Sequence, residues 1–148
     1  MGKFAFSVFI NRSPQNVFDF LSDPANLSKW NSSFESAAWA SSAAPGPGST
    51  YRVSAKMLGS KKEGLFEIVQ WDRPNGYSYQ MNQRAFPIEQ MRSTVMLQPK
   101  NNGTQVIFES HFELAGVLKF AEGFFAGMGE KQDGRNFETA KKILEAGV

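Results

Sequence analysis

Between Tyr51 and Phe112 the side chains sort into two alternating sets. Tyr51/Val53/Ala55/Met57, Tyr77/Tyr79/Met81, Met91/Ser93/Val95/Leu97 and Val106/Phe108/Ser110/Phe112 form one set, while Arg52/Lys56, Gln80/Asn82/Arg84 and Glu109/Glu113 fall between them. A period of two places each set on its own face of a sheet, so one face is covered and the other is wet. Approximate strands run over Phe34 to Ala40, Thr50 to Leu58, Lys62 to Trp71, Gly76 to Gln83, Ile88 to Gln98 and Thr104 to Glu113. The first and third of these leave their faces open, because Ala37/Trp39 compete with Phe34/Ala38 and Leu65/Val69/Trp71 compete with Phe66/Ile68. Gly59-Ser60, Pro74-Asn75-Gly76 and Asn101-Asn102-Gly103 supply the residues that tight turns need, several of them tolerant of positive φ. Connections this short join neighbours, which predicts an antiparallel meander.

The flanks add helices. Phe4, Phe6, Val8 and Ile10 alternate as a first strand. Ser13-Pro14 and Asp23-Pro24 then each read as an N-cap followed by a first-turn proline, with Val17, Phe18 and Leu21 behind the first and Leu27 and Trp30 behind the second, so two short helices follow. Gly116 to Ala146 is the one remaining stretch long enough for a long helix, and it must cover the sheet. Val117, Phe120, Ala121, Phe124 and Met128 make one apolar stripe, and Phe137, Ala140 and Leu144 make a second. Gly129 to Asn136 between them holds no large apolar residue, which predicts a kink, a frayed turn or a helix start there.

Composition limits the chemistry. At 148 residues with 41% hydrophobic content, the chain suits one domain spanning residues 1–148. Lys and Arg total 16 against 14 for Asp and Glu, with no basic arm, so no nucleic-acid partner is expected. Absent cysteine excludes disulfides, thiolate metal sites and thiol nucleophiles, and one histidine, His111, leaves little for a triad or a zinc site. No metal and no cofactor are expected. The opening Met1-Gly2-Lys3-Phe4-Ala5-Phe6 alternates too strictly for a secretory core, and the longest uncharged run, Ser36 to Tyr51, is broken by Pro45-Gly46-Pro47-Gly48. The expectation is a cytoplasmic protein without a membrane span. On oligomeric state the sequence is silent.

Candidate chemistry concentrates on the covered face. Trp30, Tyr51, Val53, Tyr79, Met81, Met91, Ser93, Val95, Phe108, Ser110 and Phe112, together with Phe120, Phe124 and Met128 from the helix, would line a pocket for a small apolar ligand, with serine and tyrosine hydroxyls as polar handles. The competing reading is a packed core, since aromatics and methionines at these periods usually fill one. Glu109-x-His111-x-Glu113 puts two carboxylates and an imidazole on one strand face, but their phase against Phe108 and Phe112 assigns them to solvent. Arg84 and Arg92 read as arginines of the wet face. No catalytic residue is assigned.

The order of elements, with the opening Phe6-Ser7-Val8-Phe9-Ile10-Asn11-Arg12-Ser13-Pro14-Gln15-Asn16-Val17-Phe18-Asp19-Phe20-Leu21-Ser22-Asp23-Pro24 and Trp30, resembles the START-like (SRPBCC) superfamily of polyketide cyclase/dehydrase and lipid-transport proteins. Gly46-Pro47-Gly48-Ser49-Thr50-Tyr51, Glu67-Ile68-Val69-Gln70-Trp71-Asp72-Arg73-Pro74 and the stretch from Asn136-Phe137 through Lys141 to Leu144-Glu145 add to the likeness, which spans nearly the whole chain. The resemblance implies an α+β helix-grip fold: a curved antiparallel seven-stranded sheet wrapped around a long C-terminal helix, with two short helices after the first strand. It also implies a cavity that binds an apolar, aromatic, polyketide- or lipid-like molecule. Two other roles stay open, a polyketide cyclase/dehydrase-like enzyme acting in the same cavity and a protein-interaction domain.

Overall fold

Alternation makes the sheet and proline-led caps make the helices. The computed structural model describes residues 1–57, 59–81, 83, 84 and 87–147, and of Lys56 and Met57 the backbone alone. Strand β1 (Gly2–Ile10) leads into α1 (Pro14–Ser22), where the Ser13 hydroxyl accepts the Asn16 N–H at 3.2 Å. Asp23 ends that helix and caps α2 (Pro24–Trp30), its carboxylate accepting the Ala25 N–H at 2.9 Å. Both caps satisfy donors that a helix start leaves free, and each proline sits where its missing N–H costs nothing.

Six strands follow: β2 (Ser36–Trp39), β3 (Thr50–Met57), β4 (Ser60–Asp72), β5 (Gly76–Met81), β6 (Ile88–Lys100) and β7 (Gly103–Leu114). They form one antiparallel sheet in the order β1-β7-β6-β5-β4-β3-β2, so the meander runs strand to neighbouring strand and its last strand takes up β1. The turns use the expected chemistry. Asn101 and Asn102 sit at φ 49° and 66° between β6 and β7, and Gly59 at φ +79° precedes β4.

The phase of the sheet follows the alternation. Tyr51, Val53, Tyr77, Val95, Leu97, Val106, Phe108 and Phe112 are buried on the concave face, whereas His111 is exposed on the other. The side chain of Met57, assigned to the covered face from the sequence, lies outside the described residues, as does Leu58. The ambiguous β4 resolves through a register shift between Ile68 and Gln70. The extra residue there carries Phe66 and Ile68 on one side of the shift, and Trp71 on the other, to the same inner face. On β2, Ala37 and Trp39 turn toward the core, and Phe34, which precedes the strand, packs on it as well.

The C-terminal segment departs from expectation twice. A 3-10 helix (Gly116–Ala121) comes first, and α3 (Glu122–Glu145) then runs through Gly129 to Asn136 without a break or a new start. Its C-terminal half is anchored at the β1 end: the Asn11 N–H donates to Glu145 at 2.8 Å, Arg12 donates to the Glu145 carbonyl at 2.8 Å, and Lys141 donates to the Phe9 carbonyl. Phe137, Ala140 and Leu144 are buried, with Phe137 against the rings of Phe6, Trp30 and Phe108 at centroid distances of 5.0 to 5.4 Å. Gly129 has a packing reason as well. A Cβ there would approach the Phe4 ring to 2.7 Å, so glycine lets α3 lie close on β1.

The second departure corrects three candidate site residues. Phe120, Phe124 and Met128 are 87%, 69% and 51% exposed, facing away from the sheet. One continuous helix has one phase, set here by Phe137. At 100° per residue Met128, nine positions earlier, falls on the opposite face, and Phe124 lands close to it. The 3-10 geometry before Glu122 leaves Val117 and Phe120 outside too.

Candidate functional site

The concave face and the helices above it frame a narrow chamber of about 30 Å3. Trp30 and Phe34 wall it from the α2 side, Tyr51, Phe66, Tyr77 and Tyr79 from the sheet, and Phe137 from α3. That volume holds roughly two water molecules, so in this conformation the aromatic rings themselves occupy most of the space. Their packing is mutual: Tyr51 stacks on Phe66 at 5.4 Å, and Tyr79 meets Phe66 edge-on at 5.6 Å.

The chamber is one wall away from a much larger space. An open concavity of about 600 Å3 lies at the β3–β4 end of the same face, lined by Val53, Ala55, Gly64, Phe66 and Met81, with Lys62 and Arg84 at its rim. Phe34 and Phe66 line both spaces and meet edge-on at 6.0 Å, so this ring pair is the partition between mouth and chamber.

Of the residues selected from the sequence, Trp30, Tyr51, Val53, Ser93, Val95, Phe108, Ser110 and Phe112 are buried, and Tyr79, Met81 and Met91 are partly buried against the same core. The structure brings these together on the concave side and separates them from Phe120, Phe124 and Met128. Among them runs a small polar line. Ser93 Oγ lies 3.1 Å from both Ser110 Oγ and Met91 Sδ, and Ser93 stands opposite Tyr79 in the β5–β6 register. Burial pushes the phenol of each of Tyr51, Tyr77 and Tyr79 well above the ordinary tyrosine value, so all three stay protonated donors.

Sequence reasoning missed Asp133. Continuing the Phe137–Ala140–Leu144 stripe backward by one helical turn reaches it; its side chain is half-buried, and its charge contributes to raising the Tyr79 phenol. Burial pushes its carboxyl up to about 6, against which a hydrogen bond from Asn136 pulls down. Asn136 also fixes the roof. Its amide donates to Asn31 at 3.1 Å, and its oxygen accepts from the Ser32 backbone and hydroxyl at 3.1 Å, which joins α3 to the end of α2. Trp30, beside it in the chamber wall, keeps its indole Nε1 buried without a hydrogen-bond partner among the described residues.

The remaining polar groups form no site of this kind. His111 is exposed between Lys3 on β1 and Arg92 on β6, and Arg84 pairs with Glu89 at 2.8 Å on the surface. Among the described residues no group of His, Cys, Asp and Glu is arranged to hold a metal ion, and no helix is long and apolar enough to cross a membrane.

An aromatic cavity between a curved antiparallel sheet and a long helix is the architecture of the helix-grip fold. Residues 1–144 match the family described as polyketide cyclase / dehydrase and lipid transport, and the chain belongs to that family. Its fold is shared by Ara h 8.0201, with 16% identity, 97% of each chain covered and a TM-score of 0.76. TTHA0849 from Thermus thermophilus is similar over 99% of each chain, with 18% identity and a TM-score of 0.78. The di-domain ARO/CYC StfQ from the steffimycin biosynthetic pathway matches 99% of this chain at 11% identity and a TM-score of 0.80, while the chain spans 52% of StfQ. No curated protein sequence matches.

Proposed function

We propose that this protein binds one small apolar, aromatic or lipid-like ligand between its curved sheet and the helices α2 and α3, as a cytoplasmic binding protein or carrier. The observation that carries this is the shared Phe34–Phe66 wall: a narrow aromatic chamber on one side, a wide mouth of about 600 Å3 on the other. A mouth of that size falls within the range of about 300 to 1,000 Å3 typical of small-molecule sites. A ligand seated in it reaches the chamber once the Phe34 ring swings aside. Met81 and Met91, flexible and partly buried on the same face, adapt to its shape. The family supports a ligand or substrate in this space without naming it.

A second reading has one observation in its favour. A carboxyl titrating at about 6 beside a protonated tyrosine suits proton transfer near neutrality, as a cyclase/dehydrase-like enzyme would need. Turnover of an aromatic polyketide separates the two readings, since a carrier binds it without changing it.

Gly64 provides the test of the cavity. A Cβ there meets only Val53, at 3.4 Å, so a larger side chain points into the mouth without disturbing the strand. Titration with the uncharged fluorophore N-phenyl-1-naphthylamine should saturate at one site per chain, and Gly64→Phe should weaken it about tenfold or more while melting within a few degrees of the parent. Phe34→Ala, which opens the partition, should bind the probe at least as well as the parent. Unchanged binding by Gly64→Phe would place the ligand elsewhere.

A further inference from the structure

The apolar stripe that turns away from the sheet gathers the exposed large hydrophobic side chains of the described residues at one end of the molecule. Val117 and Phe120 stand on the 3-10 helix, Phe124 and Met128 on the first turns of α3, and Met1 joins them through its amino group, which pairs with Glu122 Oε1 at 2.9 Å. Exposed apolar groups scattered singly mean little, whereas a cluster that collects them marks a surface that meets something.

Charge indicates what it meets. At 100° per residue from Phe124, the positions of Met128, Lys131, Arg135, Glu138 and Lys142 all fall within about 40° of it, so the outer face of α3 passes from apolar to basic along its length. Lys131, Arg135 and Lys142 are exposed, and none of them joins an ion pair among the described residues. Lys119 adds a fourth exposed cation between Val117 and Phe120. Against these four the same face carries one carboxylate, Glu138, while Glu130 lies about 120° round the helix from Phe124. A second copy of this chain would bring the same excess of cations to the contact. An anionic headgroup layer with hydrocarbon beneath it answers both the basic and the apolar part of the face.

We propose that the outer face of the 3-10 helix and α3 docks on an anionic lipid surface, with Phe120, Phe124 and Met128 entering the headgroup layer and the four cations resting on its phosphates. The helix then lies on the membrane and does not span it. This docking goes beyond the ligand-binding reading and does not depend on it, because Phe137, Ala140 and Leu144 turn the opposite side of the same helix to the core.

Co-sedimentation with vesicles of phosphatidylcholine alone, and of phosphatidylcholine with an equal part of phosphatidylglycerol, tests this. The protein should bind the anionic vesicles about tenfold more tightly than the neutral ones, and less tightly as salt is raised. Phe120→Ser with Phe124→Ser should weaken binding to the anionic vesicles about tenfold, and so should Lys131→Gln, Arg135→Gln and Lys142→Gln together. These side chains are exposed, so both variants should melt within a few degrees of the parent. Arg52→Gln, Arg92→Gln and Lys100→Gln together remove the same charge from exposed positions on β3 and β6, and should leave binding within about threefold of the parent. No binding to the anionic vesicles, equal binding to both kinds, or an equal loss in the β3 and β6 variant overturns the proposal. Self-association without vesicles that Phe120→Ser with Phe124→Ser abolishes overturns it too, and gives the face to a second copy of the chain.

Discussion

The Asp133 carboxylate destabilises the fold as it stands. Its carboxyl titrates at about 6 in the folded chain against 3.8 for the free side chain, so folding favours the protonated form and loses stability as the pH rises from about 4 to 6. Asp133→Asn removes that loss. Urea unfolding should find the variant about 1 to 3 kcal/mol more stable than the parent at pH 7.5 and equal to it at pH 4. The same gain at both pH values would mean that the carboxylate is not desolvated. His111 is the opposite case. It is exposed on the convex face, and His111→Ala should leave stability within about 0.5 kcal/mol and probe binding within a few fold. The sequence placed His111 in solvent correctly, because its phase against Phe108 and Phe112 is a local fact. It hid Asp133, because a polar residue in a stretch without large apolar neighbours looks like a solvated turn until the helix is known to be continuous.

Strands and helices were legible to different depths for the same physical reason. A strand's inner face repeats every second residue, so a few alternating pairs on β3, β5, β6 and β7 fix the phase, and it fails where a bulge resets it, as between Ile68 and Gln70 on β4. A helix has to be phased over its whole length. Two short apolar stripes separated by eight polar and small residues carry no mutual phase in sequence, and the unbroken α3 turns them to opposite sides. The consequence is measurable. Phe137→Ala, which empties a site packed against three rings, should cost about 3 to 5 kcal/mol, whereas Phe124→Ser on the exposed side should change stability by less than about 0.5 kcal/mol. Similar losses from both variants in chemical denaturation would refute the helix phase described here.

At the scale of the whole molecule, we propose that the concave face, and not the exposed apolar side of α3, receives the ligand. The architecture came through the sequence because element order, caps and turns all point to one arrangement. The cavity's size did not, because it depends on how α2 and α3 meet, through contacts such as Asn136 to Asn31 between residues far apart in the chain. Methionines stand on both sides of the question: Met81 and Met91 on the concave face, Met128 on the outer side of the helix. Methyl NMR of the protein labelled at its methionine methyls, titrated with N-phenyl-1-naphthylamine, reads them separately. Saturable shifts of the Met81 and Met91 methyls with Met128 unmoved are the predicted result, and shifts confined to Met128 would contradict it.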